Sequence, residues 1–193
     1  MPPACVGDGE NSTRLQDRRR DGPRAGASVA WADVATLFLT CGIQGAGKTT
    51  LARRLERRYG ALRLTADEWL HDLGYPATGA ALDAYRDGVE RVQWRTALRV
   101  LELGCDVVLD WGLWAREERD RYRRAARAVG ARVVLCVLDP PEEEIRRRLA
   151  RRNADAPAGT FAISDAELAR AQRYFQRPTP EELARYDPLE PPG

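Results

Sequence analysis

Residues Thr40 to Thr50 read T-C-G-I-Q-G-A-G-K-T-T, directly after an apolar run, V-A-T-L-F-L, at residues 34–39. Gly42-x-x-x-x-Gly47-Lys48-Thr49 satisfies the pattern G-x-x-x-x-G-K-[ST] in full. Glycine permits backbone turns of positive φ and leaves no side chain in the path of an approaching phosphate. The amides of Gly42, Ile43, Gln44, Gly45, Ala46 and Gly47 are then expected to turn inward as an anion nest, with the positive end of the next helix behind them. Lys48 is placed to reach β- and γ-phosphates and the Thr49 hydroxyl to complete a magnesium shell, and Thr50 is a further candidate nucleotide contact. Four specified positions coincide by chance in about one such chain in a hundred or fewer. The stretch is read as a site for a nucleoside triphosphate, ATP with Mg²⁺.

Outward from this loop, strands and helices alternate. The run ending at Cys41 reads as a buried strand, and residues 48–59 as a helix stopped by Gly60. "LRLT" (62–65) is a short strand, and Thr65-Ala-Asp-Glu68 matches a capping box opening a helix near Ala66. "ALDAYRDGVERVQWRTALRVLELG" (81–104) is a long amphipathic helix with Trp94 on its core face. "DVVLD" (106–110), a charged helix over 116–130 and "RVVLCVLD" (132–139) follow. Asp139-Pro-Pro-Glu142, Ser164-Asp-Ala-Glu167 and Thr179-Pro-Glu-Glu182 each read as helix starts. Such βαβ units imply an α/β fold: a P-loop NTPase three-layer sandwich, its parallel sheet covered by helices on both faces, with a helical lid. Residues 1–30, rich in Arg, Gly, Asp and Pro, are expected to form a disordered basic tail. Residues 34–186 are expected to form one domain, with the lid at about 146–163.

The 193 residues carry 31 basic against 29 acidic side chains, so overall charge gives no case for a general nucleic-acid binder. No apolar run approaches the roughly 20 residues of a membrane span, and the N-terminal stretch lacks the apolar centre of a signal peptide. A cytoplasmic protein without membrane association is expected. Cys5, Cys41, Cys105 and Cys136 show no zinc-ligand spacing and are read as reduced thiols, buried where they lie in strands.

The loop alone does not fix the chemistry. The N-K-x-D tetrad of guanine readers is absent, and Trp111, not a water-activating glutamate, follows Asp110 at the end of the third strand. Both features favour transfer to a hydroxyl over hydrolysis. A kinase needs a carboxylate for the acceptor proton and cations over the transferring phosphoryl group. Asp67, at the end of the second strand, is the candidate base, and Asp110 the candidate magnesium-shell or substrate-orienting carboxylate. In "EEEIRRRLARRN" (142–153), Arg146, Arg147 and Arg148 have glutamates four residues earlier, whereas Arg151 and Arg152 have arginines there. Arg148, Arg151 and Arg152 are therefore read as lid cations over ATP. Trp69, His71, Trp111, Trp114 and Arg116 follow the same two strand ends, where an acceptor enters, and are candidate acceptor contacts.

The ordered set "GIQGAGKTTLARRL", "LTADEWL", "VVLDWGLWAREERDRYR", "VVLCVLDPPEEEIRRRLARRN" and "FAISDAELARAQRYF" resembles the P-loop kinases that include the bacteriophage-type polynucleotide kinase domain, chloramphenicol phosphotransferase and the zeta toxins. The resemblance implies Asp67 as general base, Lys48 and Thr49 at the phosphates and magnesium, and lid arginines within Arg148–Arg152. Polynucleotide kinases of this type place an arginine three residues after the base, where this chain has Leu70. The expected activity is phosphoryl transfer from Mg-ATP to a hydroxyl of a small molecule such as a nucleoside, sugar or antibiotic. The alternatives are a polynucleotide 5′-hydroxyl kinase, using the basic tail, and an ATP-binding regulatory or toxin-like module acting with a protein partner.

Overall fold

The computed structural model describes residues 34–75, 81–155 and 162–189. The expected N-terminal tail, Cys5 and the middle of the expected lid lie outside these residues. The elements in chain order are β1 (Thr36–Cys41), α1 (Lys48–Tyr59), β2 (Leu62–Leu64), α2 (Ala66–Asp72), α3 (Ala81–Glu102), β3 (Val107–Leu109), α4 (Arg116–Ala128), β4 (Arg132–Val137), α5 (Glu142–Asp155), α6 (Asp165–Tyr174) and α7 (Pro180–Leu183). The four strands form one sheet in the order β2-β3-β1-β4, and every pairing is parallel. Because β1 is interior, Leu37 sits in register with both Val107 and Val133.

Alternation along β1 builds the three layers. Leu37 and Leu39 face α3 and α4, joining Leu64, Ala97, Leu101, Leu109, Tyr122 and Ala126. Phe38 points the other way, onto Ala52 and Leu55 of α1. Trp94 packs on the first cluster, its ring 4.7 Å from that of Tyr122 and edge-on to it. A third cluster joins Cys41 and Ile43 to Ile145 and Leu149 of α5 and Leu168 and Ala171 of α6. The helices after β4 are thus fastened by apolar contact to the root of the phosphate loop.

Two predicted caps are used otherwise. Thr65 precedes α2 without a side-chain cap bond, and the Glu68 carboxylate, which would complete the box, pairs instead with Arg63 at 2.7 Å and Arg53 at 3.1 Å. Asp139 does not cap α5; it pairs with Arg177 at 2.6 Å, and the Pro141 carbonyl accepts the first helical bond, from Ile145. Ser164 and Glu167 do form the reciprocal capping box, and Thr179 accepts from the Glu182 amide. Cys41 and Cys136 are buried as expected; Cys105, in the turn before β3, is exposed.

The last segment is held by a buried ion pair. Arg119 of α4 donates to Glu182 of α7 through Nε at 2.7 Å and Nη2 at 2.9 Å, with the side chains 0% and 1% exposed. Glu182→Gln leaves the guanidinium without its counter-charge and is expected to lose about 3–5 kcal/mol of stability. Arg119→Met/Glu182→Met removes both charges and is expected to lose less, its remaining loss coming from the Leu113 and Trp114 carbonyls that Arg119 also serves. Urea unfolding of the two variants beside the wild type checks the difference.

Candidate active site

The phosphate loop leaves β1 at the carboxyl rim of the sheet, and the rim dictates its glycines. Gly42 (φ 153°) receives the Gly112 carbonyl on its amide at 3.0 Å, and a Cβ there would lie 2.4 Å from the Leu138 carbonyl oxygen. Gly45 (φ 78°) lies under α5, where a Cβ would meet Leu149 Cγ at 2.9 Å. Gly47 precedes α1, whose N-terminus has no side-chain cap and no acid in its first turn. Its first amides, with the positive end of the helix dipole, are therefore left for an anion. These amide donors fit a polyphosphate.

Lys48 folds back to donate to the Ile43 carbonyl at 2.9 Å. Burial pushes its ammonium down to about 8, against the upward pull of Asp110 and Asp67; Arg152 lowers it further. Those couplings place side chains from α1, β3, α2 and α5 around one centre. Thr49 donates to Asp110 Oδ1 at 3.3 Å, and Arg63 of β2 donates to Asp110 Oδ2 at 3.2 Å. Burial raises the Asp110 carboxyl above the usual carboxylate range despite Thr49, Arg63 and Lys48. Among the described residues no group of three His, Cys, Asp or Glu side chains is arranged to hold a metal ion. The Thr49–Asp110 pair fits Mg²⁺ in the manner of ions held mainly by substrate phosphates and one or two protein oxygens.

Asp67 opens α2 and pairs with Arg86 of α3 at 2.7 Å; its side chain is 47% exposed although Oδ1 itself is buried. The exposure therefore lies on the rest of the carboxylate. From α5, Arg148 donates to Glu144 at 2.7 Å and to the Ala46 carbonyl at 3.0 Å, clasping the phosphate loop. Burial lowers the Arg152 guanidinium and the Asp67 carboxylate raises it, so Arg152 shares a partly desolvated setting with Asp67. Arg151 does not: it is 86% exposed and pairs with Asp155 at 3.6 Å, a downstream partner that the i−4 reading overlooked.

The candidate acceptor contacts take different places in the structure. Trp111 is buried and donates to Gln93 Oε1 at 3.0 Å, while Gln93 in turn donates to the Thr65 carbonyl at 3.0 Å. Trp114 packs with the α5–α6 cluster and donates to the Gly42 carbonyl at 3.2 Å. Trp69 lies against the core, and His71 and Arg116 are exposed. In each tryptophan the large apolar ring found cover and its N–H, where bonded, a fixed acceptor. Thr50 is exposed on α1. Leu70 is fully buried with Ala66 and Val89.

Sequence reasoning missed Arg63, Arg86 and Glu90. Burial pushes the Glu90 carboxyl up to about 7, opposed by Arg86 and reinforced by Glu118, Asp87 and Asp67. Burial also raises Glu118, across on α4. The signal was available as a polar stripe, Arg86, Glu90 and Gln93, running into the apolar face of α3 at i, i+4, i+7 spacing.

The sequence profile of the AAA domain family matches residues 37–178. The chain belongs to the AAA domain family. In this P-loop kinase family the match spans every element from β1 to α6. None of the curated proteins compared with the chain matches it. Solved structures share the fold. Kti12 of Chaetomium thermophilum in complex with ADP-AlF3 has a TM-score of 0.58 at 18% identity, covering 75% of this chain and 82% of that one. The Pnkp1/Rnl/Hen1 RNA repair complex gives 0.58 at 17%, over 74% of this chain and 47% of the other. A gluconokinase of Sinorhizobium meliloti 1021 gives 0.51 at 18%, over 77% and 78%.

The buried Glu90 has a sign that can be checked. Its folded value of about 7 stands above its ordinary 4.5, so its contribution to stability is greatest below the lower value and declines as pH rises through the upper one. Glu90→Gln is expected to raise the melting temperature at about pH 8 and to leave it nearly unchanged at about pH 4, by thermal denaturation at both.

Proposed function

We propose that this AAA-domain chain is a phosphotransferase that moves the γ-phosphoryl group of Mg-ATP to a hydroxyl of a small molecule. The observation that carries the reading is the rim geometry. A carboxylate with one oxygen tied to Arg86 and the other open, Asp67, is coupled electrostatically to the phosphate-loop lysine and to Arg152. Mg-ATP supplies the phosphoryl group. Residues 42–49 hold the β- and γ-phosphates, Lys48 turning from the Ile43 carbonyl to meet them, while Thr49 and Asp110 hold the magnesium side.

Arg86 fixes the orientation of Asp67, whose free oxygen takes the acceptor's hydroxyl proton as that hydroxyl attacks phosphorus and the bond to the leaving oxygen of ADP breaks. Arg152 and Arg148 approach from α5 as the cations over the transferring group. Such fixed charges, within a partly desolvated site, supply the largest share of catalysis in this class of reaction. Arg151 faces solvent and pairs with Asp155.

The acceptor side favours a small, neutral or cationic molecule. Beside Arg86 on α3, Glu90 is acted on by the charges of Glu118, Asp87 and Asp67, an acidic grouping that disfavours a polyanionic acceptor. Leu70, where an arginine is expected for a polynucleotide, lies within the core and cannot be replaced by a charge without repacking α2 on α3.

Mass spectrometry after incubation with Mg-ATP and a mixed panel of nucleosides, sugars, hydroxylated antibiotics and 5′-hydroxyl oligonucleotides tests this reading. A phosphorylated small molecule is expected, its rate falling by about 10²–10⁴ in Asp67→Asn with nucleotide affinity kept. Phosphorylation of the oligonucleotides alone, or transfer undiminished in the variant, contradicts it.

A further inference from the structure

The phosphate loop is held from a direction that neither the motif nor the proposed chemistry accounts for. Trp114 sends its indole N–H to the Gly42 carbonyl at 3.2 Å, and the Gly42 amide donates to the Gly112 carbonyl at 3.0 Å. The three-residue stretch after β3 thus holds the first loop glycine by both of its backbone groups. Gly112 has room for that indole only because it lacks a side chain: a Cβ there would lie 2.6 Å from Trp114 Nε1. Between them Leu113 has φ 46°, the only positive φ of a non-glycine residue among the described residues, a conformation a bulky side chain adopts only under constraint.

The constraint is Arg119. Its Nη1 donates to the carbonyls of Leu113 and Trp114, both at 3.0 Å, while Nε and Nη2 are locked on Glu182. Gln176 adds its amide to the Trp114 carbonyl at 3.0 Å. A guanidinium can serve a carboxylate and two carbonyls at once because its five donors lie in one rigid plane.

We propose that Arg119 and Glu182 are positioning residues of the nucleotide site, acting through Trp114 to fix Gly42 and hence the direction of the loop amides. A fold that only needed α7 packed down would be served as well by an apolar pair. The buried fork is needed because Leu113 and Trp114 must be held in a conformation that they do not adopt on their own. This rests on the reading of residues 42–49 as the nucleotide loop, and the experiment separates the two.

Calorimetric titration with MgADP is compared for the wild type, Trp114→Phe, Gly112→Ala, Arg119→Lys and Arg119→Met/Glu182→Met, with melting temperatures recorded for each. Trp114→Phe keeps the ring and removes one donor; Gly112→Ala pushes the indole aside; Arg119→Lys keeps the charge and loses the fork. Each is expected to bind MgADP about five-fold more weakly, within the range of a lost hydrogen bond. Adding Trp114→Phe to Arg119→Met/Glu182→Met is expected to cost almost nothing further, because the path is already cut.

Folded variants that bind within two-fold of the wild type, or effects that multiply independently, overturn the proposal. Should the double replacement fail to fold, Arg119→Lys beside Trp114→Phe decides in the same way. A folded wild type that does not bind MgADP removes the nucleotide reading and this proposal with it.

Discussion

The exit of β1 is the constraint on which the site depends. Cys41 and Gly42 pass between the ends of the two neighbouring strands: the Cys41 carbonyl accepts from the Leu138 amide at 2.8 Å, and the Gly42 amide donates to Gly112 at 3.0 Å. A side chain at Gly42 would strike the Leu138 carbonyl. The chain therefore needs glycine at that point, and the loop that follows leads directly into the N-terminus of α1, which has no side-chain cap and no acid in its first turn. Parallel pairing makes this possible, since it brings the carboxyl ends of β2, β3 and β4 to the same rim as β1.

Charge placement follows from that rim. Asp110 ends β3 and Asp67 begins the helix after β2, so two carboxylates stand beside Lys48 without being neighbours in sequence. All are partly desolvated, and each group is balanced by another element: Asp110 by Arg63 and Thr49, Asp67 by Arg86. Such cross-element pairing fixes orientations that a surface ion pair, screened and mobile, does not. No described helix is long and apolar enough to cross a membrane.

The fold was legible because local signals agreed. Apolar β-branched runs, glycine stops after α1 and α4 and the Ser164–Glu167 box all point to one βαβ order, and the structure follows it. The loop was legible because its chemistry is local to eight residues. The remainder of the site was not, for a physical reason. Whether Glu68 caps α2 or answers Arg63, and whether Trp111 reaches a ligand or Gln93, depends on partners 5 and 18 residues away whose packing no periodicity encodes. Arg119 is one of many charges on α4, and the partner that accounts for its burial, Glu182, lies 63 residues downstream. Arg151 shows the opposite case, a local partner, Asp155, lying after it instead of before.

The central claim is that the loop presents a desolvated lysine to a polyphosphate, and proton linkage reads that directly. Lys48, lowered to about 8, loses its charge as pH rises through that value, whereas bound phosphates restore it. Titrating MgATP at about pH 9 in two buffers of different ionisation enthalpy measures the protons exchanged. Uptake of close to one proton, absent in Lys48→Arg, with affinity falling above about pH 8, is the result this account predicts. Binding without proton uptake, equally tight across that range, would contradict it.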